Sequence, residues 1–214
     1  MNVQLIRYTQ APDELCGEAA LLCTGRAGDP LKALRGALNR GHESVAEHAA
    51  FTFRIEGVSR VLLAQLTRHR HASFSVQSQR YCGVGEEKVL PPSFIEPASF
   101  MLMDSIMEIN GAVSALFADA ERLGIPIEDA RYFVPQAVQT KLIMTANARE
   151  LRHIFELRCC NKAQWEIREL ADGMLAECRK VAPVLFEQAG APCQQGRSCP
   201  EGAYSCGKPR EAMP

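Results

Sequence analysis

Apolar residues alternate with polar ones in one short segment, and this pattern predicts a strand. Phe51, Phe53 and Ile55 fall on one side of the chain, with polar residues between them, which is the period-2 pattern of a half-buried strand. Residues 2–9, which alternate weakly, and residues 141–145 are predicted as two further strands.

Other segments repeat apolar residues at helical spacing and carry helix start or stop residues. Asp29 followed by Pro30 predicts a helix N-terminus, and Gly41 predicts its end. A final helix is predicted to continue to Leu185 with a kink at Pro183. The other predicted helices lie near residues 58–70, 99–123, 128–134 and 147–158.

Long helices with about three strands predict an α+β fold, a helix-rich single domain with a small mixed or antiparallel sheet. Residues 71–85 lose helical periodicity. Residues 1–190 are predicted to form the domain. Residues 191–214 are rich in Cys, Gly and Pro and poor in apolar residues, so they are expected to be a loosely ordered tail.

The overall composition excludes several classes of protein. A net charge of −1 gives no global basic field for polyanions, so any anion site must be local. No signal peptide is evident, and no stretch approaches the ~18 apolar residues of a membrane span. Nine cysteines are an odd number, which favours free thiols in a reducing cytoplasm.

Three of these cysteines lie in the tail, but their spacing does not favour a metal site. Five residues lie between Cys193 and Cys199, and six lie between Cys199 and Cys206. This spacing is unlike the close CxxC pairs of zinc ribbons. No metal is predicted. The alternative is a structural metal completed by Cys159 or Cys160.

Residues 67–81 concentrate basic groups without acids beside them. No Asp or Glu occurs between Glu56 and Glu86, a stretch that holds four arginines and no lysine. Arginine is the residue that recognises phosphate through two parallel hydrogen bonds. A cradle for a small phosphorylated ligand is one interpretation. A solvated basic loop, arginines paired with distant acids, and a nucleic-acid groove are the others.

The order of residues in this stretch is more specific than its charge. Arg68-His69-Arg70 is separated by seven residues from Ser78, and this spacing resembles the signature of the flavin-dependent thymidylate synthases. The resemblance extends over most of residues 1–190. It includes residues 41–44 and 47–48, Ala130-Arg131, and the segments 147–149, 153, 158 and 163–168.

The resemblance implies an enzyme that methylates dUMP to dTMP. Reduced nicotinamide, expected as NADPH, would reduce bound FAD, and methylenetetrahydrofolate would supply the carbon. The family forms homotetramers with sites shared between subunits, which is the assembly expected here. Residues 83–88 lack the third glycine of a dinucleotide fingerprint, so the flavin is expected to bind without a Rossmann unit.

The resemblance also implies which residues form the site. Arg158 is the catalytic residue, which would stabilise negative charge on the pyrimidine. The predicted FAD contacts are Ser44, Arg68, His69, Arg70, Asn147, Arg149 and His153. The predicted dUMP contacts are Gln65, Leu66, Thr67, Arg68, Gln77, Ser78, Gln79, Arg80, Arg131 and Arg158.

Several of these residues also have purely structural interpretations. Arg158 lies on the apolar face of its helix, where it either awaits a ligand or complements the helix dipole. Taken by itself, Asn147 is better explained as the N-cap of a capping box with Glu150. Ser78 and Cys82 are not expected to act as nucleophiles, because the family carries the methylene through the flavin.

Overall fold

The structure is a computed structural model, which describes residues 1–82 and 87–211. The glycines of the predicted 83–88 loop lie outside the described residues. The strands are β1 (Asn2–Tyr8), β2 (Ala50–Ser59), β3 (Ala72–Val76) and β4 (Gln139–Asn147). The helices are α1 (Pro12–Thr24), α2 (Pro30–Asn39), α3 (Arg60–Leu66), α4 (Met103–Arg122), α5 (Ile127–Ala130), α6 (Ala148–Arg158) and α7 (Trp165–Val181).

The four strands form one antiparallel sheet in the order β1-β2-β4-β3. Beside β1, the amide of Thr9 donates to the carbonyl of Ala50 over 3.0 Å. Between the central strands, the hydroxyls of Thr52 and Thr145 hydrogen-bond at 3.0 Å. The predicted α+β class, with a small antiparallel sheet, is confirmed.

The chain divides into two compact units with interleaved segments. The first unit comprises residues 1–55, 65–75 and 143–214, and the second comprises residues 56–64 and 76–142. The tail therefore belongs to the first unit. Neither boundary coincides with the one predicted at residue 190, and the division there stays a prediction.

The first unit has an aromatic core. Phe51, Phe155 and Phe186 are fully buried, and the Phe186 ring meets the other two edge-on, with centroids 5.3 and 5.8 Å away. The buried carboxylate of Asp13 accepts hydrogen bonds from the amides of Val184 and Leu185. Burial raises the pKa of Asp13, and these two bonds oppose that shift.

The second unit leaves its longest helix almost uncovered. Ala120 is the one residue of α4 that is buried within the chain. An 18-residue window within residues 97–122 reaches a mean hydropathy of 1.3, so this helix is long and apolar enough to cross a membrane by length and composition only. One such helix is weak evidence for a membrane, because an apolar helix that another subunit covers can have the same length and composition.

Most predicted elements are present, but three segments differ from prediction. Helix α1 and strand β3 were not predicted. Helix α7 ends at Val181, so Pro183 lies beyond its end and does not kink it. This agrees with the tendency of helices to stop before a proline.

The tail is attached to the first unit, contrary to the expectation of loose order. Arg210 forms two hydrogen bonds with the carboxylate of Asp172, at 3.0 and 2.8 Å. It also donates to the carbonyl of Cys159. Lys162 donates to Glu201 of the tail over 2.7 Å. All nine cysteines are free thiols.

Candidate active site

A cavity of about 500 Å³ lies at the N-terminus of α6. Asn147 caps this helix, and its side-chain oxygen accepts from the amide of Glu150 over 2.9 Å. Asn147, Arg149 and His153 line the cavity together with the carboxylates of Glu43, Glu47 and Glu150 and with His71. The predicted FAD contacts from this segment therefore share one cavity.

The charges around this cavity are partly paired. The Arg149 guanidinium forms an ion pair with Glu47, both about half exposed. Exposed pairs of this kind contribute little stability, about 0–1 kcal/mol. An anionic ligand could therefore displace Glu47 from Arg149 at small cost, while carboxylates in such a site suit ribose hydroxyls.

Two more cavities follow along α6. His153 also lines one of about 300 Å³, which shares Glu156 and Arg197 with another of about 660 Å³. This third cavity is lined by the C-terminal end of α6, residues 160–163 and the tail, and Arg158 is among its lining residues. One helix thus carries a series of cavities from its N-terminal cap to Arg158.

His69 is buried between two residues of α6. Its Nε2 accepts a hydrogen bond from Nε of Arg158 at 3.0 Å, and its Nδ1 lies 3.5 Å from Oε1 of Glu150. The ring also meets His153 edge-on at 6.0 Å between centroids. Burial, and then the charges of Arg158 and His153, lower the pKa of His69 to about 4, so the imidazole is neutral at pH 7.

Arg158 is held at one end and open at the other. Its Nε is bound to His69, and in the described residues its two Nη groups have no hydrogen-bond or ion-pair partner. Burial lowers the pKa of Arg158, but the guanidinium stays charged at neutral pH. A half-buried cation with free donors beside a cavity suits a ligand carbonyl or a ring that gains negative charge.

In the second unit, the arginines differ in their partners. Arg80 donates to Glu128 over 2.5 Å, and its backbone amide donates to the Ser78 hydroxyl over 3.1 Å. Nε of Arg131 donates to the carbonyl of Glu128 over 3.1 Å. Burial and the neighbouring charge of Arg131 lower the pKa of Arg60. Two half-exposed guanidinium groups near one another, without a carboxylate partner among the described residues, suit an anionic ligand.

The interpretation of unpaired arginines is therefore only partly correct. Of the four arginines between Glu56 and Glu86, Arg80 is paired with Glu128. Arg68 and Arg70 are exposed and have no carboxylate partner within the described residues.

The remaining predicted contacts vary in exposure. Leu66 is buried, so its side chain is not open to a ligand. Its carbonyl accepts from the amide of His69. Ser44, Thr67 and Gln77 are exposed, and Gln65, Ser78 and Gln79 are intermediate.

Sequence reasoning missed three kinds of site residue. Glu47 and His71 line the first cavity, and Glu150 had only a capping role. The tail residues that line the cavity of about 660 Å³ were assigned to a loose extension. The spacing of Glu150 from Asn147 gave a signal for the cap, but no sequence pattern indicates that a carboxylate will face His69.

Comparisons with known proteins identify relatives of this chain. Residues 4–184 match the family described as "Thymidylate synthase complementing protein". A flavin-dependent thymidylate synthase of Geobacter sulfurreducens is 44% identical over 99% of this chain and 96% of the relative. One from Clostridium tetani is 40% identical over 99% of this chain and 95% of the relative. One from Nitratidesulfovibrio vulgaris is 48% identical over 83% of this chain and 76% of the relative.

The fold has a counterpart among solved structures. A crystal structure of PolB, a UMP/dUMP methylase from Streptomyces cacaoi bound with 5-Br dUMP, superposes with a TM-score of 0.75. The match covers 87% of this chain and 93% of that chain at 23% sequence identity. This similarity supports the fold.

Proposed function

This chain belongs to the family of flavin-dependent thymidylate synthases, and from that premise we propose that it methylates dUMP to dTMP in de novo dTMP synthesis, with FAD as its cofactor. The resemblance first noted in residues 68–78 extends over almost the whole chain in its relatives. The function is therefore that of a methyltransferase with a bound flavin.

The observation that carries the catalytic proposal is the state of Arg158. Its Nε is held by a neutral imidazole, and its remaining donors are open beside a cavity of about 660 Å³. Donors fixed before the reaction stabilise developing charge without the cost of reorganisation. We assign Arg158 the role of binding the pyrimidine and stabilising the charge that develops on it.

The cavities along α6 fit the cofactor. The amides at the start of a helix suit an anionic group, and Asn147, Arg149 and His153 line the cavity there. Ser44, Arg68, His69 and Arg70 complete the proposed FAD set. When bound, the flavin would supply hydride and one-carbon transfer, while the protein supplies binding and orientation.

The arginines of the second unit support binding of the nucleotide phosphate. We propose that Arg80 and Arg131, with Ser78, bind the phosphate and sugar of dUMP. Arg60 is a candidate addition, because it lies close enough to Arg131 for their charges to interact. The wider proposed set includes Gln65, Leu66, Thr67, Arg68, Gln77 and Gln79, and Leu66 would contact dUMP through its backbone.

The co-substrates and assembly are further parts of the proposal. Methylenetetrahydrofolate would supply the carbon and NADPH the hydride, and the protein would work as a homotetramer in the cytoplasm. The uncovered face of α4 supports an oligomer, because large exposed apolar surfaces are typical of subunit interfaces. Nine free cysteines suit a reducing compartment.

One assay tests this proposal. Purified protein is expected to show flavin absorption and to form dTMP from dUMP only when methylenetetrahydrofolate and reduced nicotinamide are both present. A chain that cannot be loaded with FAD would contradict the cofactor assignment. A flavoprotein that prefers long oligonucleotides to dUMP, with steep salt dependence, would contradict the substrate.

A further inference from the structure

Glu150 has a carboxylate that its capping role does not use. Asn147 binds the backbone amide of Glu150, but the Glu150 side chain is directed to Nδ1 of His69 at 3.5 Å. Only 9% of that side chain is exposed. A buried carboxylate is costly without a partner, and the group that lies against this one is the neutral ring of His69.

The hydrogen bond on the other side of the ring decides where the His69 proton lies. A guanidinium has donors and no acceptor. The Nε2 atom that receives the Arg158 bond must therefore carry the lone pair. In a neutral imidazole the proton is then on Nδ1, the nitrogen that faces Glu150. A carboxylate at this place selects the tautomer and the orientation of the ring.

We propose that Glu150 is a positioning residue that acts through His69 to fix the Arg158 guanidinium for catalysis. The three side chains follow one another in contact, with the carboxylate at one end and the open Nη groups of Arg158 at the other. Without Glu150 the ring can flip or exchange its proton, and Nε of Arg158 then loses its acceptor. The low pKa of His69 agrees with a ring that stays neutral while Arg158 is charged.

This inference rests on the proposed function, and variants of Glu150 test it. Glu150→Ala is expected to lower kcat for dTMP formation by about 10- to 100-fold, the range for a small displacement of a catalytic group. The KM for dUMP should change much less. Glu150→Gln should recover most of kcat, because its amide oxygen accepts from Nδ1–H. Glu187→Gln, which removes the carboxylate paired with Arg35 in the same unit, is the control and should match wild type.

A spectroscopic measurement tests the inference in protein that keeps Glu150. Nitrogen-15 NMR of histidine-labelled protein at pH 7 is expected to show His69 as the neutral Nδ1–H form, assigned by the loss of that signal in His69→Asn. An Nε2–H or doubly protonated ring would overturn the proposal. So would folded Glu150→Ala with wild-type kcat, or Glu150→Gln as impaired as Glu150→Ala. If wild type makes no dTMP at all, the proposed function fails, and the NMR result still decides the tautomer.

Discussion

Arg158 and Arg80 carry the same charge but differ in what binds it. Arg80 lies against Glu128 on an exposed surface, whereas Arg158 is half-buried and bound to a neutral ring. A phosphate that binds Arg80 must displace the carboxylate of Glu128. The Nη donors of Arg158 are open to a ligand. Sequence spacing indicated that both residues matter, but it gave no information on their partners.

His69 predicts an acid-sensitive stability. Its pKa is about 4 in the folded chain and about 6.5 in an unfolded one. The unfolded state therefore binds more protons between these values, and stability is lost as pH falls below about 6.5. From pH 7 to pH 5 this group should cost about 2 kcal/mol.

Denaturant unfolding at the two pH values measures that loss. His69→Asn removes the titrating group, so its unfolding free energy should fall less from pH 7 to pH 5 than that of wild type. An equal fall in both proteins would show that His69 is not the group responsible.

At the scale of elements, local signals predicted well where one residue determines the structure. Asp29 caps α2 as expected, and its carboxylate accepts from the amides of Leu31 and Lys32. Strand β2 followed from its alternation. Strand β3 was missed because its five residues are rich in Ser and follow a basic stretch, so its place in the sheet depends on pairing with β4 rather than on its own pattern.

The cap of α6 has a structural role that can be separated from ligand binding. Asn147→Ala is expected to lower the unfolding free energy by about 1 kcal/mol, because the amide of Glu150 loses its acceptor. Asn147→Asp keeps an acceptor and should stay close to wild type in stability. Equal losses in both variants would show that the cap oxygen is not the cause.

The tail illustrates what composition cannot predict. Its Gly and Pro content indicated loose order, but long-range partners such as Asp172 lie elsewhere in the sequence. Arg210→Ala should detach the end of the tail and increase alkylation of Cys193, whose sulfur accepts from the Arg210 amide at 3.4 Å. Site-resolved mass spectrometry measures this, with Lys180→Ala, a surface pair in α7, as control. An unchanged rate for Cys193 in Arg210→Ala would contradict the attachment.

At the scale of the whole molecule, a single chain leaves the apolar side chains of α4 largely exposed. Met107 is 59% exposed and Ile109 is 57% exposed. Both are apolar side chains of a kind that subunit interfaces bury. The apolar periodicity of α4 predicted the helix, but it gave no information on which surface covers that helix.

Light scattering tests that assembly. Wild type is expected to be a tetramer, and Met107→Glu should dissociate it, because a charge would be buried in the interface. Ser105→Glu places the same charge at an exposed polar position of α4 and is the control. A Met107→Glu protein with wild-type mass would contradict a role for this side chain in the interface.

The most direct test of the account is release of tritium from C5 of dUMP by FAD-loaded protein, with methylenetetrahydrofolate and NADPH present. Wild type is predicted to release it. Arg158→Ala is predicted to fall by at least about 100-fold while its flavin content and melting temperature stay close to wild type. Release by Arg158→Ala at the wild-type rate, or no release by flavin-loaded wild type, would contradict the assignment of Arg158 as the group that stabilises charge on the pyrimidine.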